Sequence, residues 1–224
     1  LHPVVGVARD SAGRLVQISG NPTASDTSNV EAVIRMHVDR QPPDALDDLH
    51  DAIASVIADV SATTSDWLKM RRQAEKLVDL LDALPEQADR THVDEYRQFL
   101  SWMINDHFLF IGVCRFARDD ADPALHFHAA SGLGMLGAGP QAEARATAWV
   151  SGLEMGVAGG GEALLVTKAN ARSTVHRSAY MDCVALRTYA ADGSVDGLWC
   201  MVGLFSAAAY SATPRQIPLL RRRW

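Results

Sequence analysis

Alternating apolar and polar residues in the first forty positions predict short strands. Residues 3–8 and 14–19 alternate, and the turn-like Asp10–Gly13 separates them. Residues 29–38 place apolar side chains at every second position, with charged residues among those between them. Such a pattern is typical of a half-buried antiparallel strand. We therefore expect three strands near the N-terminus.

From Asp44 the apolar positions follow a spacing of three and four residues, which predicts helix. This spacing continues from Leu46 to Leu84, with polar Thr63 and the weakly helical residues 61–66 in the middle. A seam of this length is also compatible with a coiled coil. The interruption favours two helices, or one bent helix, over a free coiled coil.

The second part of this seam is predicted to start at a new helix cap. Ser65 or Asp66 is a suitable N-cap residue, and the apolar spacing resumes immediately after it. We predict that Trp67 and Met70 are buried on the part of the seam that joins two domains.

Beyond a linker predicted at residues 86–90, the chain combines short helices with strand-like runs. Thr91–Asp94 is a plausible capping signal for a helix, and residues 141–150 are Ala-rich and predict another. Strands are predicted at residues 107–116, 124–130, 163–167, 181–189 and 194–205. Asp192–Gly193 predicts a tight hairpin between the last two. The second half is therefore expected to be an antiparallel sheet with a few helices.

Charge and composition narrow the function classes. The 224 residues carry a net charge of −6, which argues against a dedicated nucleic-acid binder. Residues 1–90 hold 9 Lys/Arg and 15 Asp/Glu, whereas residues 163–224 hold 8 Lys/Arg and 3 Asp/Glu, so the basic end suits an anion or an acidic surface. No apolar run is long enough for a membrane helix. Leu1–Val5 does not look like a signal peptide, and we expect it to lie within a longer chain.

Three cysteines, Cys114, Cys183 and Cys200, lie in apolar, strand-like runs without metal-type spacing. We interpret them as buried thiols of a protein in the reducing cytoplasm.

Gly132–Gly137 matches the G-x-G-x-x-G pattern of dinucleotide-binding turns. The context does not fit, because Gly139–Pro140 stands where the helix should continue and the sheet is predicted to be antiparallel. We interpret it as a tight structural loop and predict that the chain does not bind NAD tightly.

His126 and His128 share one face of a predicted strand. They could contribute to a zinc site if a third ligand came from elsewhere, but two surface histidines are the simpler interpretation, and we predict no metal site.

The segment Lys168–Arg177, called the polar segment below, is the densest polar cluster of the chain. Its candidate residues for an anion, effector or interface site are Lys168, Asn170, Arg172, Ser173, Thr174, His176 and Arg177. Such groups can clamp a carboxylate or phosphate. The alternative is a solvated connector that fixes its own turns. No carboxylate lies in the segment, so the balancing charge must come from elsewhere in the fold, a partner or solvent.

Several segments together resemble the N-terminal region of the large bacterial NAD-specific glutamate dehydrogenases, and the likeness covers essentially the whole chain. The strongest is Val166–Arg177, followed by Tyr180–Asp182. The others are His2–Val5, Ser65–Met70, Phe99–Gly112, Ser131–Leu136, Val202–Tyr210 and Ile217–Arg222.

The resemblance implies an α+β fold with no catalytic residue in this chain. Residues 1–85 would be part of an ACT-like α/β-sandwich domain. Residues 91–224 would be an antiparallel-sheet PAS-type domain, or a second ACT-like one. The parent enzyme would use NAD to convert L-glutamate to 2-oxoglutarate, through a catalytic region downstream of this chain.

Three functions remain open at this stage. The first is a non-catalytic regulatory and assembly segment of such a cytoplasmic dehydrogenase, which is expected to be a homo-oligomer and to respond to a small-molecule effector. The second is a stand-alone ACT/PAS-type sensor. The third, a small NAD enzyme complete in this chain, would require the purified chain to bind NAD. We expect neither nucleic acid nor membrane as a partner.

Overall fold

The structure, a computed structural model, describes residues 3–20, 29–86, 90, 92–119, 122–137, 139, 141–151, 153 and 162–223. Contacts divide the chain into two compact units, Leu1–His50 and Asp51–Trp224. Within the described residues, no helix has the length and apolar character needed to cross a membrane.

Nine strands and four α-helices form the described part of the chain. The strands are β1 (Val4–Arg9), β2 (Leu15–Ser19), β3 (Val30–Ala32), β4 (Phe108–Asp119), β5 (Asp122–Phe127), β6 (Leu133–Gly134), β7 (Leu164–Arg172), β8 (Tyr180–Tyr189) and β9 (Val195–Phe205). The helices are α1 (Leu46–Leu80), α2 (Val93–Trp102), α3 (Ala142–Trp149) and α4 (Ala207–Ser211). Strands and helices thus coexist in both halves, which confirms the predicted α+β class.

The first unit contains a three-stranded antiparallel sheet in the order β2-β1-β3. Asp10–Gly13 forms the predicted turn: the Gly13 amide donates to the Asp10 carbonyl at 2.9 Å, and Gly13 has φ +76°. Glycine accepts this left-handed conformation without a steric penalty. The first two strands and their turn are therefore confirmed.

The third strand is much shorter than predicted. Only Val30–Ala32 pairs with β1, and Ile34 and Met36 are more than half exposed. The last bond of this pairing runs from the Val33 amide to the Pro3 carbonyl. Its partner strand begins at Val4, and Pro3 has no N–H to extend the ladder. The prediction of a half-buried strand through Val38 is therefore wrong.

The second unit is built on an antiparallel sheet in the order β5-β4-β9-β8-β7, with β6 paired to β4. All neighbouring strands of this sheet pair antiparallel, which is consistent with the predicted antiparallel-sheet domain of PAS type or second ACT-like type. The β8–β9 hairpin turns at Asp192–Gly193 as predicted, with Gly193 at φ +82°.

Both faces of this sheet are covered. On one face the second half of α1 and helix α2 contribute Met70, Leu77 and Tyr96 to a buried cluster with β4, β7, β8 and β9. On the other face α3 and the residues after β6 contribute Trp149 and Leu136 to a second cluster. The sheet is thus the centre of a three-layered unit.

Helix α1 is one continuous helix of 35 residues, so the chain forms the single helix of the two predicted alternatives, and the division into two helices at residues 61–66 is wrong. The Thr63 hydroxyl donates to the Asp59 carbonyl, and the Thr64 hydroxyl donates to the Val60 carbonyl, both at 2.9 Å. Threonine hydroxyls can bond to the preceding turn in this way, so these residues continue the helix. Asp66 does not cap a new helix.

The buried stripe of α1 includes Met70, Leu77 and the following Leu81, all 0% exposed. Trp67 is 42% exposed, and the guanidinium of Arg71 lies 5.9 Å from the centroid of the Trp67 ring. The predicted burial is therefore confirmed for Met70 and wrong for Trp67.

The division between the compact units falls inside α1, because its buried side chains from Asp59 onward belong to the second unit. The sequence-based limits, an ACT-like domain at residues 1–85, a linker at 86–90 and a PAS-type domain at 91–224, stay predictions about family domains. Residues 87–89 of that linker lie outside the described residues.

The three cysteines are free and fully buried in neighbouring strands, which confirms that they are interior thiols. Cys114 on β4 stands opposite Cys200 on β9, and Cys183 lies on β8. Hydrogen bonds with Cys114 and Cys183, together with burial, raise the pKa of Cys200 well above its ordinary value. Burial and these hydrogen bonds thus favour the neutral thiol of Cys200 over its thiolate.

Candidate functional site

The polar segment begins inside a strand. Strand β7 extends to Arg172, so Lys168–Arg172 are edge-strand residues and only residues 173–179 form the connector to β8. The sequence predicted that the strand ended at residue 167, which is wrong. The register of the β7–β8 pairing shifts between Lys168 and Arg172, and such irregularities re-aim side chains at sheet edges.

Lys168 has an acidic partner in the next strand. Its ammonium lies 2.6 Å from Oδ1 of Asp182, whose side chain is only 8% exposed. The second oxygen of Asp182, Oδ2, is buried and has no hydrogen-bond partner among the described residues. The balancing charge expected from elsewhere in the fold is thus supplied, for this cation, by β8.

The two arginines of the segment bind backbone carbonyls and stack on tyrosine rings. Arg172 Nη2 donates to the Ser178 carbonyl at 3.0 Å, and its guanidinium lies 5.4 Å from the Tyr180 ring centroid. Arg177 Nη2 donates to the Phe205 carbonyl at 2.8 Å and lies 5.4 Å from the Tyr210 ring centroid. Arg172 is exposed and Arg177 is half-buried, so Arg172 offers the more accessible guanidinium.

The hydroxyl residues of the segment bind the protein itself. Ser173, 3% exposed, donates its hydroxyl to the Val175 carbonyl at 2.6 Å. Thr174 donates its hydroxyl to Oδ2 of Asp59 on α1 at 2.7 Å. His176 is exposed and has φ +68°, and Asn170 is exposed on β7. Ser173 and Thr174 thus have structural partners, whereas Asn170, Arg172 and His176 face solvent.

Asp59 is the residue that sequence reasoning missed. It lies on α1, is 9% exposed, and accepts the Thr174 hydroxyl. Its Oδ1 is also 3.6 Å from Nη1 of Arg145 on α3, which itself donates to the Met135 carbonyl at 3.0 Å. One carboxylate therefore connects α1, α3 and the connector. A buried acid on an amphipathic helix face is the signal that could have indicated it.

The glycine loop packs against the same helix. The amide of Gly134 donates to Oδ2 of Asp66 at 3.0 Å, the Met135 amide to the Ile111 carbonyl, and the Gly137 amide to the Gly134 carbonyl. These amides are bonded within the protein, whereas a pyrophosphate site presents its amides to the ligand. The geometry supports the interpretation as a structural loop.

Asp66 also forms an ion pair with Lys69, with 2.7 Å between Oδ1 and Nζ. The hydrogen bond from Lys69 lowers the pKa of Asp66, and the Gly134 amide contributes in the same direction, while desolvation opposes it. Because the pKa of Asp66 is lower in the folded chain, its carboxylate stabilises the fold at pH values above the ordinary pKa of an Asp side chain. This contribution is lost as the pH falls through the lowered pKa.

The histidine pair lies at the surface. His126 and His128 are both exposed near the end of β5. Among the residues that the structure describes, no group of three His, Cys, Asp or Glu side chains has metal-site geometry. Two surface histidines agree with this arrangement.

A cavity that the sequence did not predict lies beside α2 and the edge strand β7. This cavity, called the α2–β7 cavity below, has a volume of about 570 Å³. Its wall combines residues of α2, β7, the end of β9, α4 and the last described segment. The lining residues are Phe99, Trp102, Glu162, Leu164, Val166, Phe205, Ala209, Tyr210, Ile217, Pro218, Leu219 and Leu220.

The Asp59–Thr174 contact provides a test of the anchored connector. In a double-mutant cycle of Asp59→Ala and Thr174→Val, we expect a coupling energy of about 1–2 kcal/mol, because the pair shares a charge-assisted hydrogen bond. The measurement is urea unfolding of the chain.

Asp59→Ala combined with Thr213→Val is the matched control. Thr213 bonds to Gln216 and not to Asp59, so these two effects should add. Additive behaviour of the Asp59 and Thr174 variants as well would contradict the anchoring role.

Comparison with known proteins shows a family and several enzymes to which this chain is similar. Residues 1–53 match the family "Glutamate dehydrogenase, ACT1 domain". NAD-specific glutamate dehydrogenases of Halomonas elongata, Pseudomonas aeruginosa and Mycobacterium tuberculosis are 28%, 26% and 28% identical to the chain. These alignments cover 99%, 97% and 100% of this chain, but only 14%, 14% and 13% of the relatives.

The chain thus spans a small part of the length of its curated relatives, and the ACT1 match ends close to the limit of the first compact unit. The resemblance predicted from the sequence is confirmed: over nearly its whole length the chain is similar to a segment of large NAD-specific glutamate dehydrogenases, and its residues 1–53 match the ACT1-domain family.

Proposed function

We propose that this chain is a non-catalytic regulatory and assembly segment, N-terminal to the catalytic region, of a large NAD-dependent glutamate dehydrogenase. The parent enzyme would convert L-glutamate, NAD and water to 2-oxoglutarate, ammonia and NADH in cytoplasmic amino-acid catabolism. The observation that carries this proposal is the match of nearly the whole chain to about 14% of three such dehydrogenases, with an ACT1 domain in its first residues.

The arrangement of the candidate residues supports a role in interaction rather than in catalysis. The glycine-loop amides and the hydroxyls of Ser173 and Thr174 are bonded within the protein. The polar segment is held at three places, by Asp182, by Asp59 and by the Phe205 carbonyl. A rigid, basic edge of this kind suits recognition of an anionic effector or of an acidic surface.

Within this segment, Arg172 is the residue we expect to make the decisive contact. It is exposed at the end of β7, and its single backbone bond to Ser178 and its position over Tyr180 fix the guanidinium in place. A planar guanidinium binds carboxylates bidentately, whereas Lys acts as a point charge. Its partner would be a small anionic effector, the downstream catalytic region of the same chain, or another subunit of a homo-oligomer.

Arg172→Ala in the longer protein that contains this chain should weaken that contact about ten- to a hundredfold, since a charge-assisted hydrogen bond contributes about 1.5–3 kcal/mol. Mass photometry measures assembly, and glutamate kinetics with candidate dicarboxylate and nucleotide effectors measure regulation. Arg172→Lys should recover only part of the effect.

Arg215→Ala is the control, because Arg215 is also exposed but lies outside the polar segment. If Arg172→Ala and Arg215→Ala both leave assembly, kinetics and effector response unchanged, the polar segment is only a solvated connector.

A second candidate, a stand-alone ACT/PAS-type sensor, is favoured by the α2–β7 cavity, which has a volume in the range of small-molecule sites. The length of the reading frame distinguishes the two candidates. A frame that continues into a glutamate dehydrogenase catalytic region supports the first, and a frame without that region supports the second.

A further inference from the structure

We propose that the α2–β7 cavity binds a small molecule that combines an aromatic body with one basic group. The cavity volume of about 570 Å³ lies within the range of about 300–1,000 Å³ typical of ligand sites. This binding would be a property of the chain itself and does not depend on the proposed dehydrogenase role.

The rings in the wall indicate the body of the ligand. Trp102 packs against Phe99 and Phe205, with ring centroids 5.9 and 6.0 Å apart, and Phe205 is itself only partly buried. Aromatic rings at these distances offer edges and faces to a further ring. Aliphatic side chains of β7, including Val166, complete the wall, and Val166 is 46% exposed.

The balance of charges at the wall indicates the basic group. Glu162 lines the cavity, and among the described residues its carboxylate has no hydrogen bond or ion pair. Among the described lining residues, Glu162 is the one charged side chain. Of the arginines nearby, Arg221 binds Glu95, and Arg177 and Arg187 donate to the backbone carbonyls of Phe205 and Glu162, but none of the three lines the cavity. The charge in the cavity wall itself is therefore negative, which favours an ammonium over a carboxylate on the ligand.

The last described segment, which forms one wall of the cavity, is held by hydrogen bonds to α2. Glu95 on α2 accepts the Leu219 amide at 3.2 Å and Arg221 Nη2 at 2.7 Å. Leu219 has φ +69°, a left-handed conformation that branched residues rarely adopt. Strained backbone of this kind persists only where the surrounding contacts hold it, and it is common at ligand clamps. The cavity is thus preformed, which reduces the entropic cost of binding.

The probe for this site is 2-phenylethylamine, with 3-phenylpropionate and butylamine as matched compounds that lack the ammonium or the ring. Isothermal titration of the chain should give saturable binding of 2-phenylethylamine, with a Kd on the order of 1 mM or below, and weaker binding of the other two. Equal binding of the three compounds, or no saturation with 2-phenylethylamine, would overturn the proposal.

Two variants locate the site. Glu162→Gln should weaken binding of 2-phenylethylamine about two- to fivefold, whereas Glu143→Gln, which neutralises an exposed carboxylate on α3 outside the cavity wall, should not. Val166→Trp should fill the cavity and abolish saturation, with circular dichroism to verify that the variant is folded. Unchanged affinity in both Glu162→Gln and Val166→Trp would place the binding elsewhere and refute this site.

Discussion

Replacing Gly134 with Ala is expected to lower the free energy of unfolding by about 2–5 kcal/mol. Gly134 has φ +62°, and the left-handed conformation costs about 1–2 kcal/mol for a residue with a side chain. A Cβ at this position would also lie 2.4 Å from the Ile111 carbonyl oxygen and 2.8 Å from Sδ of Met70. Overpacking of that kind typically adds about 1–3 kcal/mol. Thermal unfolding followed by circular dichroism measures the loss.

Gly139→Ala is the matched control in the same region. Gly139 is exposed, its φ is not in the left-handed region, and a Cβ there meets no atom within 4 Å, so its stability should change by no more than about 0.5 kcal/mol. If Gly134→Ala melts within about 1 °C of the wild-type chain, the loop does not have the geometry described above. The same result would reopen the dinucleotide interpretation of the G-x-G-x-x-G pattern.

The sequence predicted most of the second unit because its signals are local and strong. Aromatic and β-branched runs identified β4 and β9, and the Asp192–Gly193 pair fixed the hairpin turn. Alternation also identified β1 and β2. In β4 and β9 the residues that carry the signal are mostly buried, and Asp192–Gly193 turns the chain, so pattern and structure coincide there. In β2 the alternation predicted the strand but not its burial, because all of its residues are exposed.

The errors occurred where distant contacts decide the outcome. Threonine residues predicted a break in α1, yet Thr63 and Thr64 bond to the preceding turn, and Asp66 finds its partner in the Gly134 amide, 68 residues away in sequence. The alternation after Ala32 predicted a longer β3, but a strand extends only as far as its partner. Neither the partner of Asp66 nor the length of the paired strand is encoded locally.

The candidate site was predicted in composition but not in arrangement. Local sequence indicated a basic segment without acids, and the balancing carboxylates, Asp182 and Asp59, come from the next strand and from α1. The α2–β7 cavity was not predicted, because its wall combines residues from Phe99 to Leu220. A cavity is a property of how elements pack, so no single motif records it.

Replacing Leu77 with Ala is expected to lower the free energy of unfolding by about 2–5 kcal/mol, the range for buried Leu to Ala changes. Leu77 is 0% exposed in the cluster formed by α1, α2 and the sheet. The second half of α1 contributes its apolar stripe to this cluster. The void left by removing the Leu77 side chain should therefore weaken the packing of α1 against the sheet. Urea unfolding should show a lower midpoint with an unchanged slope, because the extent of surface exposed on unfolding stays the same.

Trp67→Ala, on the same helix, distinguishes burial from residue size. The continuous apolar spacing alone would assign a larger loss to Trp67, since removing a buried Trp costs about 3–5 kcal/mol. In the structure, however, the Trp67 ring is 42% exposed and lies beside Arg71. We therefore expect Trp67→Ala to cost about 1 kcal/mol or less. A larger loss for Trp67→Ala than for Leu77→Ala would mean that the face of α1 carrying Trp67, and not the one carrying Leu77, is packed in the folded protein.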